Sequence, residues 1–245
     1  MSTITVTQLL TTSGQILDDL RSLIVRSKPP KGGADRLRVG LVLTIAEQFE
    51  AALRLANAHM STHSAVHVRS MIEALVAMKM LMSDSSYVDQ MQYEKSRGER
   101  RVYEGILADP NIPEDLKALI KKSYDVCNAQ CEAFRAAGHK PKKISDDIGS
   151  AELWHLVGPY SMLCAFSHND LAVLAFRHQG ERSMVYKQDD EPQFVQAVVS
   201  TALQVLMDAT NQFGTIAQFP DNHFDSVFAA MNQKWSIVVD KRVER

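Results

Sequence analysis

Leu116-Lys-Ala-Leu-Ile-Lys-Lys-Ser-Tyr-Asp-Val-Cys-Asn-Ala-Gln-Cys-Glu-Ala-Phe134 decides the fold class of this chain. Leu116, Ile120, Tyr124, Cys127, Cys131 and Phe134 recur at spacings of four, four, three, four and three. On an α-helix these positions fall on one face, whereas the two-residue period of a strand would scatter them over both. Pro113, Glu114 and Asp115 suit the first turn of that helix, where a missing N–H is no loss and carboxylates meet the positive end of the dipole. Gly138 ends it.

Outward from this segment the same period governs most of the chain. A helix is expected over 5–26, with Leu9, Leu10, Ile16, Leu17, Leu20, Leu23 and Ile24 inward. A second, over 35–59, buries Leu41, Ile45, Phe49, Ala52, Leu53 and Ala56. Ser61 and Thr62 read as caps of a third, starting near His63 and reaching Met82, and Asp84-Ser85-Ser86 opens a more polar fourth that runs to about 108. Further helices are expected over 159–168, 192–218 and 224–241. The breakers are Ser27-Lys-Pro-Pro-Lys-Gly-Gly33, Asp109-Pro-Asn-Ile-Pro113 and Pro220-Asp-Asn222. The stretch 139–149 reads as loop with a short turn. Residues 171–187 read either as a small β-hairpin or as a helix end plus loop. With no internal repeat and no shift of composition, the expectation is all-α: a single bundle-like domain over 1–245 with seven to nine helices.

Hydrophobic content of 45% and charged content of 23% are ordinary globular values, so a sizeable core is expected and disorder is not. A formal charge of −2 removes any global pull towards nucleic acid or anionic membrane, so such a ligand would need a local patch. Cys127, Cys131 and Cys164 form an odd set without framework spacing, which suits a reducing cytoplasm. The N-terminal stretch lacks a basic region followed by an apolar block, and no run approaches the ~20 apolar residues of a membrane span. A cytoplasmic protein without membrane association is the expectation.

Two polar knots interrupt apolar segments. Arg69 and Glu73 stand at i and i+4 within His67-Val-Arg-Ser-Met-Ile-Glu-Ala-Leu75, flanked by Val68, Met71, Ile72, Leu75, Met78 and Met82. Ser167-His168-Asn169-Asp170 ends an apolar run about a hundred residues later. Unpaired buried charge costs several kcal/mol, on the order of 3–5, so the two knots are each other's best partners. Arg69 and Glu73 read either as a structural ion pair or as a guanidinium fork for a carboxylate or phosphate whose rotamer Glu73 fixes. With His168 they form the candidate catalytic set, and Tyr160, Ser167 and Asn169 the flanking binding set. Ser167 and His168 are adjacent on a helix and point apart, and no Gly-x-Ser-x-Gly elbow exists, which argues against a serine hydrolase.

His59, His63 and His67 repeat every four residues, but a cap interrupts the helix between the first two and no further ligand stands at zinc spacing. Neither a Gly-rich phosphate loop nor a dinucleotide fingerprint is present. No metal and no cofactor are expected.

The third helix, with Ser64-Ala-Val-His-Val-Arg-Ser-Met-Ile-Glu-Ala74, and the later Tyr160-Ser-Met-Leu-Cys-Ala-Phe-Ser-His168 together resemble an uncharacterised group of bacterial all-helical proteins. That group pairs an Arg-Ser-x-x-Glu-Ala helix with a downstream helix reading Tyr…Ser-His, and the resemblance covers roughly residues 37–170. It implies an all-helical fold and a shared polar pocket, with no settled activity. A more distant resemblance is to HEPN helical domains, many of them metal-independent ribonucleases of toxin–antitoxin and defence modules. Arg54-Leu-Ala-Asn-Ala-His59 matches their Arg-to-His spacing, with Leu55 where that family usually carries a polar residue. It implies that Arg54 holds a scissile phosphate and His59 moves a proton at the 2′-hydroxyl.

Three functions follow. One is a helical protein whose Arg69/Glu73/His168 pocket binds a small anion or a partner. Another is a HEPN-like ribonuclease using Arg54 and His59 or the Arg69–His168 pair, the only reading that brings RNA. The last is an interaction protein, paired as a homodimer, without catalysis.

Overall fold

A reciprocal cap starts the first helix. The Thr5 hydroxyl accepts the Gln8 N–H at 3.1 Å, and Gln8 Oε1 accepts the Thr5 N–H at 2.9 Å, so two amides that a helix leaves open are satisfied at once. This helix is α1, Val6–Arg26, and the Pro29-Pro30 pair after it cannot continue a helix. There follow α2 (Gly33–Asn57), α3 (Ser61–Ser83), α4 (Tyr87–Leu107), α5 (Glu114–Ala136), α6 (Ile144–Ser150), a 3-10 turn at Trp154–Leu156, α7 (Val157–Ser167), α8 (Leu171–His178), α9 (Pro192–Ile216) and α10 (His223–Val238). The computed structural model describes residues 3–168, 170–239 and 241–243.

The protein is all-α, with ten α-helices among the described residues where seven to nine were expected. The excess lies in two short helices whose length hides their period. One, α6, carries Asp146 and Asp147 in its first turn and buries Ile148 completely, where a loop was expected. The other, α8, replaces the first arm of the hairpin considered for 171–187. The Asp170 carboxylate accepts the Ala172 N–H at 2.9 Å and so caps a helix start inside the polar knot. Of the hairpin only a single antiparallel bridge, Gln179 to Met184, is present.

One further pairing ties the two ends of the described chain. Thr3–Ile4 runs parallel to Arg242–Val243, with Ile4 opposite Val243, and both apolar side chains are buried.

The core sits where α2, α3 and α9 meet. α2 and α3 pack along one another across the short turn between them, and α9 lies against both. The interior faces of α3 and α9 are broad. α3 buries Val68, Met71, Ile72, Leu75, Val76 and Met78, and α9 buries Val198, Val199, Leu203, Val205, Leu206 and Phe213. A helix apolar over more than one stripe belongs inside a bundle, and full burial of each such side chain is worth roughly 1.5–3 kcal/mol. α1 packs on α2 and α9 with its Leu9, Ile16, Leu20 and Leu23 face, and α10 closes its other side. Where α10 meets α9, Gly214 lies so close to the Phe224 ring that a Cβ would stand 2.2 Å from it.

The stripe on α5 finds its partner in α4. Tyr93, Cys127 and Cys131 are buried there, Phe134 and His139 pack edge-on at 5.5 Å, and neither helix contributes to the main apolar cluster. The pair is rooted at its base. Tyr87 donates its hydroxyl to Asp147 at 3.0 Å, and Lys142 Nζ lies 3.3 Å from the same carboxylate.

Candidate functional site

α7 lies across α3, and this crossing brings the two polar knots together. Arg69 Nε donates to Glu73 Oε1 at 3.0 Å, one helical turn along α3. From α7, the Tyr160 hydroxyl donates to the same carboxylate oxygen at 2.9 Å. At the C-terminus of α7, His168 Nε2 stands 3.3 Å from the second nitrogen of the Arg69 guanidinium. The guanidinium carbon lies 5.7 Å from the centre of the Tyr160 ring, within the range of cation–π attraction.

The electrostatics follow from that packing. Burial pulls the Arg69 guanidinium down, but Tyr160 and Glu73 outweigh it and the net effect is a rise, so the group stays cationic. Burial, followed by the bond to the Glu73 carboxylate, pushes the Tyr160 phenol well above its ordinary range. Tyr160 is therefore a fixed hydrogen-bond donor here, not a proton shuttle. The Arg69 and Glu73 side chains are 27% and 35% exposed, and His168 lies open to solvent. The cluster is a half-open surface site.

The other expected residues fare differently. Ser167 donates its hydroxyl to the Leu163 carbonyl at 2.9 Å, so it is turned back on its own helix. Asn169 lies outside the described residues. Arg54 is 79% exposed and pairs with Glu50, which also meets Arg21. His59, its motif partner, ends α2 and faces a separate cleft instead. His67 turns to α2 and bonds Gln48 at 2.7 Å, while His63 faces the same cleft as His59. Among the described residues no three His, Cys, Asp or Glu side chains come together as a metal ion would require.

That cleft, of about 400 Å³, lies between the α2–α3 turn, the end of α8 and the chain at 186–190. His178, Lys187 and Asp190 line it and went unread in the sequence. No periodic or motif signal marks them, because His178 and Lys187 sit in the stretch whose secondary structure was ambiguous and Asp190 in the irregular chain just after it. Asp190 accepts the Ser61 N–H at 2.9 Å, and so it caps α3 two residues ahead of the expected start. Ser61, expected as the cap, is instead the first residue of the helix.

The fold and the site together define an all-helical protein with an Arg/Glu/Tyr/His cluster where one helix crosses another. A family model covers residues 35–184, which hold α2 to α8 and every member of the cluster, and the chain belongs to that family, DUF5677, a family of unknown function. No curated protein and no solved structure matches the chain. No helix among the described residues is long and apolar enough to cross a membrane.

Proposed function

We propose that the Arg69–Glu73–Tyr160–His168 cluster recognises an oxyanion, a carboxylate or phosphate carried by a small molecule or a partner chain. The observation that carries this reading is the division of the Arg69 guanidinium between two neighbours. Glu73 holds Nε, so the rotamer is fixed, while the far edge of the fork faces the His168 imidazole at the surface. A fork held on one side by a carboxylate and met on the other by an exposed imidazole is organised for two parallel hydrogen bonds to a planar or tetrahedral anion once that imidazole turns to the anion. Tyr160 steadies the same carboxylate that steadies the arginine.

Arg69 can only donate, so in its contact with His168 the imidazole Nε2 accepts. An anion bridging both groups needs both as donors, which the ring meets by carrying its N–H on Nε2. Titration calorimetry with inorganic phosphate and with acetate measures binding to the pair. Arg69→Lys keeps the charge but loses the fork, and is expected to weaken binding about tenfold or more without changing the melting temperature. Equal affinity in the wild type and Arg69→Lys would sink the proposal.

The contact of a guanidinium with an imidazole also favours a second reading, metal-independent RNA cleavage of the HEPN kind, in which Arg69 holds the phosphate and His168 moves the proton. Its test is growth on expression. Toxicity relieved by His168→Ala supports it, relief by His59→Ala moves the chemistry to the Arg54–His59 motif, and equal growth of all three chains removes it. Cytoplasmic residence goes with either reading, and three unpaired cysteines suit it.

A further inference from the structure

The cleft beside the α2–α3 turn is built by three separated parts of the chain and shares no residue with the Arg69 cluster. Its volume of about 400 Å³ falls in the size class of small-molecule sites, roughly 300–1,000 Å³. Met60 and Phe176 supply apolar wall, and Tyr186, a residue 96% exposed, stands at the rim. Around them gather Arg177, Lys187 and three imidazoles, those of His59, His63 and His178. Asp189 and Asp190 line the same wall, where Asp190 accepts the Ser61 N–H; Lys187 is steadied by the Ala58 carbonyl at 2.9 Å and Arg177 by the Thr62 carbonyl at 2.9 Å.

Two of the imidazole positions are constrained. His178 Nδ1 is 3.2 Å from the Val185 carbonyl, which makes Nδ1 the donor and leaves Nε2 for another partner. His59 is the more telling. It follows the last turn of α2 with φ +56°, while its own N–H reaches the Ala56 carbonyl and the next N–H, from Met60, reaches back to Leu55 at 2.8 Å. This is the helix-ending motif that glycine normally occupies, because a Cβ is crowded in the left-handed region. A histidine at that position gives up stability and places an imidazole on the wall of a cleft. Local strain held at a concave site is what a binding role looks like.

We propose that this cleft binds a small organic anion built on a flat aromatic body. The basic rim takes the acid group, and Phe176 with Tyr186 takes the ring. Mononucleotides and aromatic carboxylates share this chemistry, and the experiment tells them apart. The full chain is titrated calorimetrically with adenosine 5′-monophosphate, 2-naphthoate, adenosine and inorganic phosphate. One or both of the aromatic anions should bind saturably, and the two half-probes at least ~10-fold more weakly. Saturation by the nucleotide alone assigns the first source, and by naphthoate alone the second.

His59→Gly gives opposite signs for fold and function. It should raise the melting temperature, because the strained position is relieved, and weaken the bound anion about three- to tenfold. Lys187→Gln should weaken it by ~10-fold. The proposal is overturned if neither aromatic anion exceeds its half-probes, or if His59→Gly and Lys187→Gln leave affinity unchanged. Binding that survives both of those but vanishes in Arg69→Gln belongs to the other cluster and overturns the cleft equally.

Discussion

The α4–α5 pair and the α2–α3–α9 body are made of helices of similar length and similar period, yet they are held together differently. In the body, helices bury more than one stripe, and Phe49, Met71, Ile72, Leu75 and Phe213 are wholly inaccessible. In the pair, each helix buries a single narrow seam and leaves Val102, Leu119 and Val126 in solvent. The period alone says which residues face inward, and the number of neighbours decides how much that is worth. Stability should therefore be distributed unevenly along one continuous chain.

The largest blow to the body is expected from Phe49→Ala, which should lower global stability by about 3–5 kcal/mol in a denaturant titration. A loss under ~1 kcal/mol would mean that α2 is not central. Gly214→Ala should come next, at about 1–3 kcal/mol, because the new methyl meets the Phe224 ring and α10 must shift. Removing the Asp190 cap with Asp190→Ala should lower the midpoint by ~1 kcal/mol and leave α4 and α5 untouched. In the pair, Cys131→Ala should register at about 1 kcal/mol or less. It should do so mainly as faster amide exchange within α4 and α5, since native-state exchange reads local opening. Uniform exchange across both regions would erase the contrast.

The smallest effect is a pH dependence at the edge of the body. Burial and then the Arg177 guanidinium hold the His63 imidazole below its ordinary 6.5, with His178 and Lys187 adding to the lowering and Asp190 opposing it. A depressed histidine means that the unfolded chain binds the proton more readily. Its contribution to stability is therefore complete above about pH 6.5 and is lost as pH falls from there through the folded value. His63→Gln should flatten that part of the stability profile, and an identical slope in wild type and variant would remove the assignment.

Much of the architecture could be read from local pattern. The inner faces of α1 and α2 correspond to buried positions, whereas of the stripe from Leu116 to Phe134 only Cys127 and Cys131 are buried and Leu116 is exposed, because the spacing gives the face and a single partner helix covers only its middle. Arg69 and Glu73 were legible as a pair from their spacing on one helix, and the rarity of charge on apolar segments pointed to His168. What pattern does not carry is the identity of distant partners. Arg38 is buried within α2 and donates to Asp35 at 2.9 Å and to Gln212 at 3.2 Å, the latter 174 positions away. Asp190 caps α3 from 129 positions downstream, where Ser61 itself looked like the cap. α8 is too short for its eight residues to declare a period, so His178 and the cleft behind it stayed unseen.

The pairing of Ile4 with Val243 has a consequence for how the chain is made. Synthesis delivers α1 and α2 well before α9 and α10, which complete the cover of the α1 apolar face. Leu9, Ile16, Leu20 and Leu23 are then covered only on the α2 side until those last two helices emerge. Nascent chains stalled before residue 192 should be markedly more protease-sensitive and chaperone-bound than chains stalled after release of α10.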